Sequence, residues 1–196
     1  MFTPKTHLEI KPEAILKSQS GQYSVRSNKN LLAMIEEESS ESNSWKDHAL
    51  RFSRLHLAAR KVFVITTPKA EIIASFTKER GFNKDHHVHD AEGNLLVVIK
   101  QDLKMRRQTL NAFDPEGHLV LQARGQNESL TFNVTTEESE DVLSTIKKRS
   151  LPAPSLKEVM VSGDYYKVEN HPDVTSLQQL LIMVMTVVIY DQLHHA

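Results

Sequence analysis

Two stretches of the chain, HVHDAEGNLLVVIK (87–100) and NAFDPEGHLVLQAR (111–124), share one pattern and decide the fold. They align without a gap at an offset of 24 residues. Each predicts a strand, a tight turn and a second strand, because an Asp can cap the turn backbone and the Gly three positions later tolerates a positive φ. Pro115 also presets φ in the second copy. The sequence therefore predicts two serial β-hairpins.

The same unit recurs in more degenerate form along most of the chain. Copies lie at 23–35, 64–76 and 130–146, and a last strand pair is predicted at 158–161 and 165–169. Four successive copies close on an apolar residue at a spacing of 23, 24 and 23 residues, namely Phe76, Ile99, Ala123 and Ile146. These hairpins predict about twelve antiparallel strands. Closure into a barrel would protect the edges of all of them, and a sandwich is the alternative.

The composition is that of an ordinary globular chain that can build its own core. It has 196 residues, a formal net charge of -1 and no cysteine. The absence of cysteine excludes disulfide frameworks, thiolate zinc sites and cysteine nucleophiles. Residues 1–18 have no apolar signal-peptide region, so a cytoplasmic setting is expected. We predict a single domain over 1–196, with the acidic, Ser-rich segment 36–48 as a mobile loop within it.

The C-terminal segment breaks the strand pattern. Residues 180–190 are almost continuously apolar, but this run of 11 residues is about half of the ~20 that a membrane-spanning helix needs. Thr175 and Gln178 have the spacing of a capping box. We therefore predict a buried helix over 175–193 that fills the barrel and does not cross a membrane. Its β-branched residues leave a central β-strand as the alternative.

Taken together, the serial hairpins, the strand GDYYKVE (163–169) and the terminal helix ending IYDQ (189–192) resemble the LURP-one-related, YxjI-like branch of the tubby C-terminal-like superfamily. The resemblance covers roughly 62–192. It implies a closed barrel of 12 antiparallel strands around a central hydrophobic helix. The superfamily includes tubby proteins, which bind membrane phosphoinositides, and phospholipid scramblases. This chain lacks the cysteine-rich and proline-rich segments of the scramblases, so the resemblance does not imply scrambling.

The residues that follow the interior column give the first candidate site. Strand alternation turns them outward, which predicts a basic stripe of Lys100, Arg124 and Lys147. The neighbouring basic residues that could widen this stripe are Lys104, Arg106, Arg107, Lys148 and Arg149. Such a stripe suits an anionic phospholipid head group, a phosphoinositide among them, or a phosphorylated ligand, and a peripheral membrane location. An ordinary solvated face is the alternative.

A second pattern is the histidine cluster at 86–89. His87 and His89 point to the same face of a strand, a spacing that can contribute to a zinc site, but we predict no metal site and interpret these residues as exposed hairpin histidines. The glycines form no nucleotide-binding or nucleophile motif, so no cofactor and no catalytic residues are predicted. The aromatic residues do not interleave with basic ones, which argues against nucleic-acid binding. The sequence thus favours a non-catalytic binding module; a protein-interaction scaffold is the alternative, and an enzyme with an unrecognised pocket is the third reading.

Overall fold

In the computed structural model, the serial hairpins close into a barrel. The structure describes residues 3–13, 21–38, 59–81, 84–104, 107–126, 130–139, 141–150 and 164–193. The strands are β1 (His7–Pro12), β2 (Gln22–Ser27), β3 (Asn30–Glu37), β4 (Lys61–Thr66), β5 (Ile72–Lys78), β6 (His86–Asp90), β7 (Leu95–Lys104), β8 (Arg107–Phe113), β9 (Leu119–Gln126), β10 (Thr131–Thr135), β11 (Ser144–Ser150) and β12 (Asp164–Asn170). They are followed by helix α1 (Ser176–Leu193).

All twelve strands belong to one antiparallel sheet. Each strand pairs with its neighbours in sequence, and β1 closes the ring by pairing with β12 on one side and β2 on the other. The closed ring confirms the predicted barrel and contradicts the sandwich alternative, since a closed sheet leaves no edge strand. Strand alternation then divides the residues into an inner and an outer wall.

The repeated turns explain why the chain reverses where it does. The Asp90 carboxylate accepts hydrogen bonds from the backbone N–H of Glu92 at 3.0 Å and of Asn94 at 2.8 Å, and Gly93 adopts a φ of 88°. The next copy has the same geometry, with a φ of 93° at Gly117. The earlier copy substitutes Ala70 at this position and holds it at a φ of 63°. The turn geometry therefore repeats even where the sequence has diverged.

The interior column and the helix form one apolar core. Phe76, Ile99, Ala123 and Ile146 are all buried on the inner wall, as the repeat spacing predicts. Every residue of 180–190 is buried as well, and all of them except Thr186 belong to the same hydrophobic cluster. The ring of Tyr190 lies edge-on to Tyr23 of β2 at 5.4 Å and to Tyr166 of β12 at 6.2 Å between ring centroids. The C-terminal segment is thus a helix that fills the lumen, and the β-strand alternative is wrong.

The capping box at the start of α1 is also confirmed. The Gln178 backbone N–H donates to the Thr175 hydroxyl at 3.2 Å, and the Thr175 backbone N–H donates to the Gln178 side-chain carbonyl at 2.9 Å. Both bonds satisfy backbone or side-chain groups that a helix start otherwise leaves without partners. The helix therefore begins where the sequence predicts it to begin.

Two boundary predictions need correction. The predicted mobile loop 36–48 starts too early, because Glu36 and Glu37 belong to β3 and the Glu37 backbone N–H donates to the Gly21 carbonyl at 2.7 Å. The part of that loop from 39 onward lies outside the described residues. The predicted strand 158–161 also lies outside them; the partners of β12 in the described barrel are β11 and β1.

Candidate functional site

The predicted basic stripe lies on the outer wall but does not form one compact site. Lys100 and Arg124 are exposed, and Lys147 is partly exposed. The register places Lys100 opposite Asn111 and Arg124 opposite Thr109, so these two cations are separated by one strand and by two residues along it. Their Cα atoms are consequently about 12 Å apart, from the usual strand spacing and residue rise. The two cations are therefore not adjacent on the outer wall.

The basic residues predicted to widen the stripe lie in different places. Lys104 and Arg107 are backbone partners in the β7–β8 register, at the end of that hairpin. Arg106 lies outside the described residues. Lys148 does not widen the stripe, because it pairs with buried Tyr166 and therefore belongs to the inner wall, between outward Lys147 and Arg149. The stripe prediction is therefore wrong for Lys148 as an outward residue.

Around Lys147, the barrel brings together basic residues that the sequence analysis did not combine. Lys147 stands directly opposite Lys167 of β12, Lys167 stands opposite Glu9 of β1, and Glu9 stands opposite Arg26 of β2. We name the outward cations of β9, β11, β12, β1 and β2 the basic face: Arg124, Lys147, Arg149, Lys167, Lys11 and Arg26. Among the described outward residues of these strands, the carboxylates are Glu9 and Glu169. The face therefore carries a clear excess of positive charge.

Ion pairs organise this face without neutralising it. The Lys147 ammonium donates to the Glu169 carboxylate at 2.7 Å, and that hydrogen bond lowers the pKa of Glu169. The Lys167 ammonium lies 3.9 Å from a Glu9 oxygen. The Lys11 ammonium lies 3.7 Å from the other Glu9 oxygen and 4.9 Å from the centre of the Tyr165 ring. Two carboxylates thus hold three of the ammonium groups in place on the outer wall.

Lys100 lies apart from the basic face. It is on β7, two strands away from Arg124 on β9, and its ammonium lies over the Phe113 ring at 5.3 Å from the ring centre. An aromatic face attracts a cation weakly at an exposed position. Lys100 is therefore at the margin of any site centred on β11 and β12.

The histidine cluster is divided between the two walls. His87 and His89 are partly exposed on the outer wall of β6, on the same face as alternation predicts, whereas His86 is buried. The reading of all three as exposed hairpin histidines is wrong for His86. Among the residues that the structure describes, no group of three histidine, aspartate or glutamate side chains is placed to hold a metal ion. The outward pair therefore has no described third ligand.

An inner basic row is the least expected feature of the described structure. Lys61, Lys78 and His86 stand directly opposite one another on β4, β5 and β6, and all three face the lumen and are buried. We call them the inner basic row. Like charges opposite each other on a sheet are unfavourable, and burial of an ammonium costs more still. Such a row needs compensation from the groups that face it.

That compensation comes from the C-terminal end of α1. The Lys61 ammonium donates to the buried carboxylate of Asp191, in the last turn of the helix. The Lys78 ammonium donates to the Ala59 carbonyl at 3.4 Å, and burial lowers the pKa of Lys78 while the Asp191 charge opposes that shift. The inner basic row and the helix end therefore form one buried polar cluster.

His86 is held neutral within this cluster. Its pKa is lowered from the ordinary value of 6.5 to about 3, chiefly by burial; the Asp191 charge opposes this shift, and the Lys78 and Lys61 charges add to it. The Gln101 side-chain amide nitrogen lies 3.3 Å from His86 Nδ1. An amide nitrogen only donates, so Nδ1 accepts that hydrogen bond and is unprotonated. The geometry and the electrostatics both favour the neutral imidazole.

The sequence does contain a signal for the inner basic row, in the alternation of its strands. Lys61 and Lys78 are each two residues from a buried phenylalanine, and His86 is two residues from buried Val88. Alternation with a period of two therefore turns all three inward. The charge of these residues predicts the opposite, because charged side chains usually lie on the surface.

Comparison with known proteins leaves the chain without a family assignment. No protein-family model matches it. No curated protein matches it either. Within the part of the chain that the structure describes, no helix is both long and apolar enough to cross a membrane. Any functional conclusion must therefore come from the chemistry of the barrel itself.

Proposed function

We propose that this barrel is a non-catalytic binding module that docks on anionic phospholipid head groups through the basic face. The observation that carries the proposal is the pair Lys147 and Lys167, two lysines that are direct register partners on the outer wall. Glu169 and Glu9 each pair with one of these ammonium groups, but the two like charges still repel each other. A bound phosphate group would relieve that repulsion, and Arg124 and Arg149 on the same wall would extend the contact to further head groups.

The charge distribution suits a surface better than a small soluble anion. The cations of the basic face span neighbouring strands of a curved wall, so they would contact several head groups and not enclose one. Each basic residue close to an anionic membrane contributes about 1 kcal/mol. This attraction acts over a Debye length of about 8 Å at physiological salt, so it should weaken as salt is added. The resemblance to the tubby-like superfamily points in the same direction.

Vesicle co-sedimentation tests the proposal. Vesicles of phosphatidylcholine alone are compared with vesicles that also contain a phosphoinositide, at low and at physiological salt. The test variant is K147Q/K167Q, and the matched control is K29Q/K69Q, which removes two exposed lysines from tight turns outside the basic face. Loss of two cations at ~1 kcal/mol each should weaken binding roughly 30-fold, whereas the control should bind like the parent.

A second comparison includes the stripe predicted from sequence. The variant K100A/R124A/K147A should weaken binding to the same vesicles mainly through Arg124 and Lys147, so K100A alone should have a small effect. A soluble inositol phosphate added as competitor separates a free phosphate ligand from a membrane surface. If the protein does not bind the vesicles at low salt or at physiological salt, the proposal is overturned. A scaffold that contacts a protein partner is then favoured.

A further inference from the structure

The inner basic row lies at the place where α1 ends, and this position suggests a role beyond packing. Lys61 begins β4, Lys78 ends β5 and His86 begins β6, so all three lie at the same rim of the barrel. Asp191 reaches this rim from the last turn of the helix and pairs with Lys61. The other end of α1 is held differently, by the neutral capping box of Thr175 and Gln178. Charge is thus concentrated at one end of the helix.

We propose that Lys61, Lys78, His86 and Asp191 form an acid-sensitive latch, which holds the C-terminal end of α1 in the lumen and loosens when His86 is protonated. Protonation at Nδ1 would remove the hydrogen bond that the Gln101 amide nitrogen donates, so Gln101 would have to turn its carbonyl oxygen toward the ring to form another. It would also place a third cation in direct register with Lys78 and Lys61. Asp191 would then face three cations within a buried cluster.

The other titratable groups near His86 do not substitute for it as the sensor. Tyr23 lies near Asp191, Tyr190, Tyr166 and Glu37, and burial raises the pKa of Tyr23 well above 10, so this group stays neutral in acid. His87 is on the same strand but on the outer wall. Among the described residues His86 is the buried histidine, and histidine is the residue type whose ordinary pKa lies between pH 5 and pH 7.

The direction of the pH effect follows from the lowered pKa of His86. In the closed barrel His86 stays neutral down to about pH 3, whereas an opened rim would expose it to water and restore a pKa near 6.5. The open state therefore binds more protons, and acidification favours opening. For this one group, the population of the open state should rise roughly 25-fold between pH 7 and pH 5.

Amide hydrogen exchange, corrected for the pH dependence of the intrinsic rates, tests the latch in the intact protein. Exchange in 187–191 at the end of α1 should speed up about 25-fold from pH 7 to pH 5, while exchange in 180–184 should change little. The variant H86L should abolish this acid response. H87L removes the neighbouring outward histidine and should respond like the parent.

The comparison of two segments of the parent helix needs no variant, so the test survives if H86L fails to fold. Equal acceleration in 180–184 and 187–191 would indicate global opening and would overturn the proposal. The proposal would also be overturned if amide protection in 187–191 were the same at pH 5 and pH 7. It would likewise be overturned if the H86L protein kept the full acid response.

Discussion

Two pairs of lysines stand directly opposite each other in this barrel, and they differ in the wall that they occupy. Lys61 and Lys78 face the lumen, whereas Lys147 and Lys167 face solvent. In both pairs the two lysines are direct partners in the strand register. Water and ions screen the outer pair, but the inner pair must be compensated by the protein, and it is: Asp191 reaches it from the helix. The same local arrangement therefore serves the core in one place and an open surface in the other.

The variant with the largest expected effect tests whether the lumen is a hydrophobic core. Val187 is buried in the lumen, so V187D would place a charge without a partner in the core. We expect the loss of cooperative unfolding, measured by circular dichroism against temperature and denaturant. The control S75D puts the same charge on the outer wall of β5 and should unfold like the parent. A soluble V187D protein that unfolds like the parent would show that the lumen tolerates an unpaired charge. The inner and outer walls would then not differ in the way described.

The next effect concerns the compensated pair itself. K61M removes the cation that pairs with Asp191 and should reduce the free energy of unfolding by about 3 kcal/mol, because a buried carboxylate loses a partner. The double variant K61M/D191L replaces both charges by apolar groups and should recover most of that loss. Denaturant unfolding of the two single variants and the double variant measures the coupling. Additive losses would mean that the two side chains do not act as a pair.

A smaller effect is expected at the opposite end of the same helix. T175A removes the hydroxyl that accepts the Gln178 backbone hydrogen bond and should cost about 1 kcal/mol. Denaturant unfolding again provides the measurement, and T175S should retain the cap. If T175A lowers the free energy of unfolding as much as K61M does, then the buried ion pair stabilises the helix no more than the capping box does.

The smallest effect on stability is expected on the outer wall. K147Q removes one of two opposed cations and also the partner of Glu169, so the two changes should nearly cancel, within about 0.5 kcal/mol. The matched variant K78Q, on the inner wall, should lose clearly more. Measuring both at low and at physiological salt sharpens the contrast, since salt should alter only the outer pair. A large loss in K147Q would show that the basic face has a structural role.

Much of this fold could be predicted because its signals are local. The repeat of hairpins, the Asp and Gly positions of the turns at 90–94 and 114–118, the capping box at Thr175 and the apolar run of α1 each depend on residues close in sequence. Alternation also places Lys100, Arg124 and Lys147 on the outer wall correctly. These features require no knowledge of which distant strands become neighbours.

The remaining features depend on closure of the ring, which no local pattern specifies. Glu9 meets Lys167 only because β1 pairs with β12, across most of the length of the chain. Asp191 meets Lys61 only because α1 enters the lumen and ends at the rim where β4 begins. The inward direction of Lys78 could have been predicted by alternation, but its charge argued for the surface. Both candidate sites therefore emerge from long-range contacts.

The most direct test of the account asks which wall of the barrel meets a membrane. The chain has no cysteine, so a single introduced cysteine can carry an environment-sensitive fluorophore at one known position. Thr145 on β11 and Ser75 on β5 are matched sites, since both are partly exposed on the outer wall and their strands are six positions apart in the ring of twelve. With phosphoinositide vesicles, the account predicts a blue shift for the label at 145 and none at 75. An equal shift at both positions, or a shift at 75 alone, would contradict it.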